Sequence, residues 1–188
     1  MKRTGITLFV IFCWGFSFAQ IPENKQTTLG LYITAKEAYE KWRANPSNIY
    51  VLDVRTPDEY VFVGHAEMAY NIPLRFLAGV SRDENPLMRD NAHFLSEAQR
   101  LFRTTDTLFV MCRSGGRGAQ AVNALAKAGY TNVYNIIDGF EGNALDMPQS
   151  YNDGKYILNG WKNSGAPWTY DLKYELVYSY PETTEEGK

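Results

Sequence analysis

The residues that most often carry chemistry are scarce in this chain: its 188 residues include two cysteines and two histidines. Cysteine at that level excludes a disulfide-stapled scaffold, so stability has to come from a packed core. No group of His, Cys and carboxylates has metal-ligand spacing, and no glycine fingerprint of nucleotide type is present. Neither a metal nor a cofactor is expected. Charge of one sign is also lacking: 19 Lys and Arg against 21 Asp and Glu leave a net charge of −2, which gives nucleic acid no reason to bind. There is no internal repeat. Hydrophobic residues at 45% and charged residues at 21% then exclude disordered and collagen-like classes and leave an ordinary globular domain.

The first residues form a pattern of their own. Lys2 and Arg3 precede an apolar run from Ile6 to Phe16, and Ser17-Phe18-Ala19 puts small residues at the two positions a signal peptidase reads. The run is too short for a bilayer, which needs about 20 residues. The reading is a cleaved signal peptide over 1–19, a mature chain starting at Gln20, export to the periplasm or beyond, and no membrane span after cleavage. Cys13 is not a lipid-anchoring residue, because Val10-Ile11-Phe12 before it are too bulky for that cleavage. Loss of the segment leaves Cys112 as the one thiol. Oxidising compartments attack idle exposed thiols, so a lone cysteine there is either buried and inert or reactive.

Along the mature chain, residues 20–30 are polar and read as loose. Thr34-Ala35-Lys36-Glu37 is a capping box that starts a helix running to about Ala44. Asn48 to Val54 reads as a buried strand, Pro57-Asp58-Glu59-Tyr60 as the start of a short helix, and Ala69 to Ile72 as a short strand. Residues 74–90 are mixed and turn-rich and read as a solvated loop. Phe94, Leu95, Ala98, Leu101 and Phe102 fall at helical spacing. Thr107 to Met111 is a buried strand, Arg117 to Ala128 a helix ending at Gly129, and Val133 to Ile136 another strand. Alternation of strand and helix predicts an α/β domain whose largely parallel sheet is covered on both faces. From Leu172 to Tyr180 apolar and polar residues alternate, which predicts an extended segment with one apolar side, and the tail to Lys188 is polar.

Cys112-Arg113-Ser114-Gly115-Gly116-Arg117 lies between a buried strand and a helix, at the carboxyl end of the sheet, where such folds place ligands. Gly115 and Gly116 let the chain turn sharply, so that successive amides can form an anion cradle. The helix that follows aims the positive end of its dipole at the same place, and Arg113, Ser114 and Arg117 add charge and a hydroxyl. The loop suits a negatively charged sulfur and needs no histidine base. The alternative is an inert buried cysteine, but two arginines, a serine and two glycines do not suit an inert turn.

This loop resembles the active-site loop of the rhodanese-like sulfurtransferases. Leu52 through Tyr60, Gly64-His65 with Asn71-Ile72-Pro73, Asp138-Gly139-Phe140 with Gly142, and Gly160-Trp161 with Gly165 to Trp168 resemble the family's other motifs in the same order. The resemblance spans roughly residues 30–170, leaving 171–188 as an extension. Ala66-Glu67-Met68 departs from the family pattern, and residues 74–100 are longer than in compact members. The resemblance implies a three-layer α/β fold with a central, mainly parallel five-stranded sheet. It also implies a Cys112 persulfide formed from a small anionic donor such as thiosulfate and passed to cyanide or a thiol. Related phosphatases place one residue more between nucleophile and arginine; the four between Cys112 and Arg117 fit the sulfurtransferase form.

In that scheme Cys112 is the nucleophile, and Arg113, Ser114, Gly115, Gly116 and Arg117 bind substrate, Arg117 either attracting the donor or bracing the loop. Asp53 and Arg55 support the loop structurally. His65 reads as a packing residue. The rival reading is a sulfur carrier that hands the Cys112 persulfide to a partner protein.

Overall fold

A computed structural model describes residues 21–180; the predicted signal segment, the predicted mature start at Gln20 and the polar tail over 181–188 lie outside the described residues. In chain order the elements are β1 (Tyr32–Ile33), α1 (Ala35–Ala44), β2 (Ile49–Asp53), α2 (Pro57–Val63), β3 (His65–Ala66), β4 (Tyr70–Asn71), β5 (Arg75–Val80) and β6 (Pro86–Asp90). There follow α3 (Phe94–Leu101), β7 (Thr107–Met111), α4 (Gly116–Lys127), β8 (Val133–Ile136) and β9 (Trp168–Thr169). Five strands pair in parallel in the order β1-β8-β7-β2-β4. β1, two residues long, is too short to show a period and escapes a reading by pattern.

Alternation along the central strands divides the core in two. Leu52, Leu108 and Val110 face α3 and α4, with Phe94, Ala98, Val122 and Leu125. Val51, Phe109 and Met111 face the other way, with Ala35 and Ala38 of α1 and Tyr60 of α2. Strands buried on both faces need helices on both, which is why their apolar runs are nearly continuous. Cys112 continues the Leu108–Val110 side and sits with the α4 cluster.

Two helices start on the same device. The Thr34 hydroxyl accepts the Glu37 amide at 3.3 Å, and Glu37 reaches back to the Thr34 amide at 2.9 Å. Thr56 and Glu59 repeat the arrangement at α2, with distances of 3.1 and 3.0 Å. Each box satisfies two amides that have no partner inside the helix.

Three segments differ from the sequence reading. Residues 74–90 are a twisted antiparallel ribbon, β5 on β6, with a bulge between Leu77 and Gly79. Its polar composition reflects a ribbon exposed over most of its area rather than a loop. Residues 21–30 are not loose: Glu23–Lys25 form a 3-10 turn packed against α4, and Lys25 Nζ donates to the Ile137 carbonyl at 2.9 Å and to Asn143 Oδ1 at 2.7 Å. The alternation from Leu172 to Tyr180 does not survive either. A turn in which the Leu176 and Val177 amides both bond the Lys173 carbonyl resets the direction of the side chains. Tyr174 ends up exposed and Tyr178 buried.

Candidate active site

The buried strand β7 delivers Cys112 to the carboxyl end of the sheet, beside Asp53 at the end of β2, whose register partner is Met111. The chain must then turn at once into α4. Gly115 makes that turn with φ +101°, and a Cβ there would collide with the Ile137 carbonyl, so only glycine fits. The Gly115 amide thereby points inward and donates to Cys112 Sγ at 3.2 Å. α4 begins one residue later, its positive end directed at the same region.

The loop is clamped from behind by Asp138 to Gly142. The Phe140 amide donates to the Cys112 carbonyl at 2.8 Å, and the Glu141 amide to that of Arg113 at 3.0 Å. Gly139 permits this approach: at φ +61°, a Cβ would lie 2.5 Å from the Cys112 carbonyl oxygen. Asp138 is itself buried, accepting the Ala35 amide at 2.7 Å and the Gly160 amide at 3.0 Å. It ties the clamp to the start of α1, a role its place in a turn motif did not reveal.

Cys112 is 2% exposed yet opens onto a cleft of about 600 Å³. Arg113, Ser114, Gly116 and Arg117 line the cleft with it, as do Thr56 and Glu59 from the start of α2 and Leu77, Asn85, Pro86 and Met88 from the ribbon. The two arginines differ. Arg113 is exposed, its guanidinium 4.9 Å from the centre of the Tyr156 ring. Arg117 is gripped by Glu59 through two bonds of 2.6 Å, Nη1 to Oε2 and Nη2 to Oε1. Burial would raise the Glu59 carboxyl and lower the Arg117 guanidinium. Their mutual hydrogen bonds and charges outweigh it, holding Glu59 below the ordinary carboxylate range and Arg117 above its own. Glu59 was legible only as a helix-starting acid; its second role needs α2 and α4 to meet.

Asp53 and Arg55 are both fully buried and bonded to each other, with Arg55 Nη2 to Asp53 Oδ2 at 2.6 Å. Arg55 Nη2 also donates to the Gly64 carbonyl at 2.8 Å, and its guanidinium lies 4.1 Å from the centre of the Phe140 ring. Their support reaches the cysteine loop through Phe140 and the β2–β7 register rather than by bonds to the loop. His65 is buried and stacked on Tyr60 at 3.8 Å, with Nδ1 3.0 Å from the Tyr60 carbonyl oxygen. Burial lowers its pKa and keeps the ring neutral, as a packing residue. Lys25, from the segment read as loose, lies with its stem against Gly115. Burial lowers its pKa, opposed by the charges of Cys112 and Asp138. It is the cation that reading by motif missed.

A cysteine at the carboxyl end of a five-stranded parallel sheet, in a glycine turn that opens a helix, defines a cysteine-loop α/β domain. The family model described as "Rhodanese-like domain" matches residues 34–144, more than half of the chain, and the chain belongs to that family. An uncharacterized protein of Rickettsia prowazekii is 36% identical over 138 residues, covering 73% of this chain and 96% of that protein. Thiosulfate sulfurtransferase 16 (chloroplastic) of Arabidopsis thaliana is 37% identical over 89 residues, 47% of this chain and 68% of that one. Among solved structures, that of Rv0390 from M. tuberculosis has a TM-score of 0.56 at 27% identity, covering 74% of this chain and 96% of that one.

Proposed function

We propose that the protein is an exported sulfurtransferase that carries a sulfane sulfur on Cys112. The observation that carries this reading is Cys112 Sγ at the floor of an open cleft, with the Gly115 amide donating to it and the positive end of α4 behind it. The Cys112 thiolate attacks the outer sulfur of thiosulfate; that sulfur's bond to the sulfonate sulfur breaks, and sulfite leaves with the electron pair. The loop amides and α4 stabilise the Cys112 persulfide that remains. Fixed amides need no reorganisation as charge moves, and one such donor is worth about 3 kcal/mol. Arg113, exposed at the rim, attracts the anionic donor. Arg117, paired with Glu59, braces the loop against α2. A persulfide needs neither metal nor cofactor.

Intact mass after thiosulfate treatment tests the reading. One added sulfur is expected on the mature chain and none on Cys112→Ser, whose hydroxyl cannot hold a persulfide. Unmodified wild-type mass, or sulfur transfer to cyanide by Cys112→Ser, would overturn it. Export is checked separately by sequencing the protein from its host, where Gln20 is expected as the first residue.

A further inference from the structure

Three features of the cleft bear on what takes the sulfur once thiosulfate has delivered it. The first is size: about 600 Å³ is the range small organic ligands fill, far beyond an inorganic anion the size of a few waters. The second is charge. Among the described residues the charged side chains lining the cleft are Glu59, Arg113 and Arg117, and the Glu59–Arg117 pair leaves only Arg113 uncompensated, a single cation already used to draw in the donor. The third is the wall opposite the loop. Leu77 and Met88 are cross-strand partners on one face of the ribbon, and with Pro86 they present carbon to the cleft. Leu77 is 52% exposed. The other face is occupied: Phe76 packs against Tyr178 at 5.6 Å and Tyr180 at 5.4 Å, so the C-terminal segment fixes which way Leu77 points.

We infer that the sulfur acceptor is a small organic thiol with an apolar body, its carbon chain laid on Leu77 and Met88 and its sulfur at Cys112. This rests on the persulfide reading and names its second substrate. The acceptor thiol loses its proton to solvent and its thiolate attacks the outer sulfur of the Cys112 persulfide. The bond between that sulfur and Cys112 Sγ breaks, and its electron pair returns to Sγ. The acceptor leaves as a persulfide. Its sulfur is oxidised as that of Cys112 is reduced, so no outside oxidant or reductant enters. Burying carbon against the ribbon favours longer chains, whereas a polar, charged thiol such as glutathione gains nothing from that wall.

The test is the discharge rate of the persulfide-loaded protein, read as loss of one sulfur by mass. The probes are ethanethiol, propanethiol and butanethiol at equal thiolate concentration, with glutathione and cyanide as references. Full burial is worth roughly three- to fourfold per methylene, and a half-exposed wall about twofold, so butanethiol should exceed ethanethiol by about fourfold. In the Leu77→Ser, Met88→Ser double variant that ratio should fall to near one. The ratio does not depend on how much of the sample is active. Val80→Ser, on the same ribbon outside the cleft, should keep the fourfold preference. Equal rates for the three thiols in the wild type, glutathione faster than butanethiol, or a preference that survives the double variant would each overturn the inference. Absence of any added sulfur at Cys112 would instead overturn the sulfurtransferase reading beneath it.

Discussion

Two ion pairs flank the cysteine, and they are built for different tasks. Asp53–Arg55 is fully buried, joins residues two apart in sequence, and adds the Gly64 carbonyl and the Phe140 ring to the arginine's partners. Glu59–Arg117 joins residues 58 apart, keeps about a fifth of each side chain exposed, and lines the cleft. The first is sealed from water, so removing either partner strands a charge where nothing can solvate it. The second holds α2 to α4 at the mouth of the site, where water can replace a lost partner in part. Burial, more than the quality of the bonds, separates scaffold from machinery here.

Breaking the buried pair should have the largest effect. Asp53→Asn or Arg55→Met should cost about 3–5 kcal/mol, seen in thermal melts as a fall of roughly 10 °C. Much of the lost activity should return on cooling, because neither side chain touches substrate. A melt within two or three degrees of wild type would mean that the pair carries little of the fold.

Breaking the cleft pair should be milder and should change kinetics as well. Glu59→Gln removes the carboxylate from Arg117 and should cost about 2 kcal/mol, the worth of a charged hydrogen bond left unmade. It also turns Arg117 into a second free cation. The KM for thiosulfate should then fall severalfold, whereas Arg113→Ala should raise it. Steady-state kinetics on both variants decide the assignment; a raised KM in Glu59→Gln would show that the arginine matters as a brace alone.

The pH dependence sharpens the contrast at the cleft. Glu59 is held below its ordinary value of 4.5, so its contribution is fully present above that value. The contribution fades only as the pH falls through the lower folded value. The difference in melting temperature between wild type and Glu59→Gln should therefore persist at pH 4.5 and close below it. The smallest effect is expected at Lys25, a part-buried cation bonded to a carbonyl and an amide rather than to a carboxylate. Lys25→Met should cost about 1 kcal/mol, read by denaturant titration.

What could be read without coordinates follows one rule: the signal was local. The Thr34–Glu37 capping box, the buried runs of β2, β7 and β8, and the Cys112–Arg117 loop each declare themselves within a few residues. The same local logic was available at Thr56-Pro57-Asp58-Glu59, a second capping box read only as a helix start. Residues 74–90 were misread because their many charges and turn formers resemble a loop, and pairing across a hairpin leaves little trace in composition. The ribbon is held by Arg75–Asp90 at one end and, through Phe76, by Tyr178 and Tyr180 from more than a hundred residues away, contacts that no window of sequence contains.

The sequence by itself determined the layer architecture and the setting of Cys112 in a glycine-rich turn between a buried strand and a helix, because strand and helix periods and such a turn are short-range physics. Tertiary structure alone decided what surrounds that cysteine. It tied Arg117 to Glu59, placed Lys25 beneath the loop, set the Asp138–Gly142 clamp behind it and raised an apolar wall in front. Each of these is a contact between distant segments, whose partner is chosen by how helices and strands pack rather than by the residues beside it.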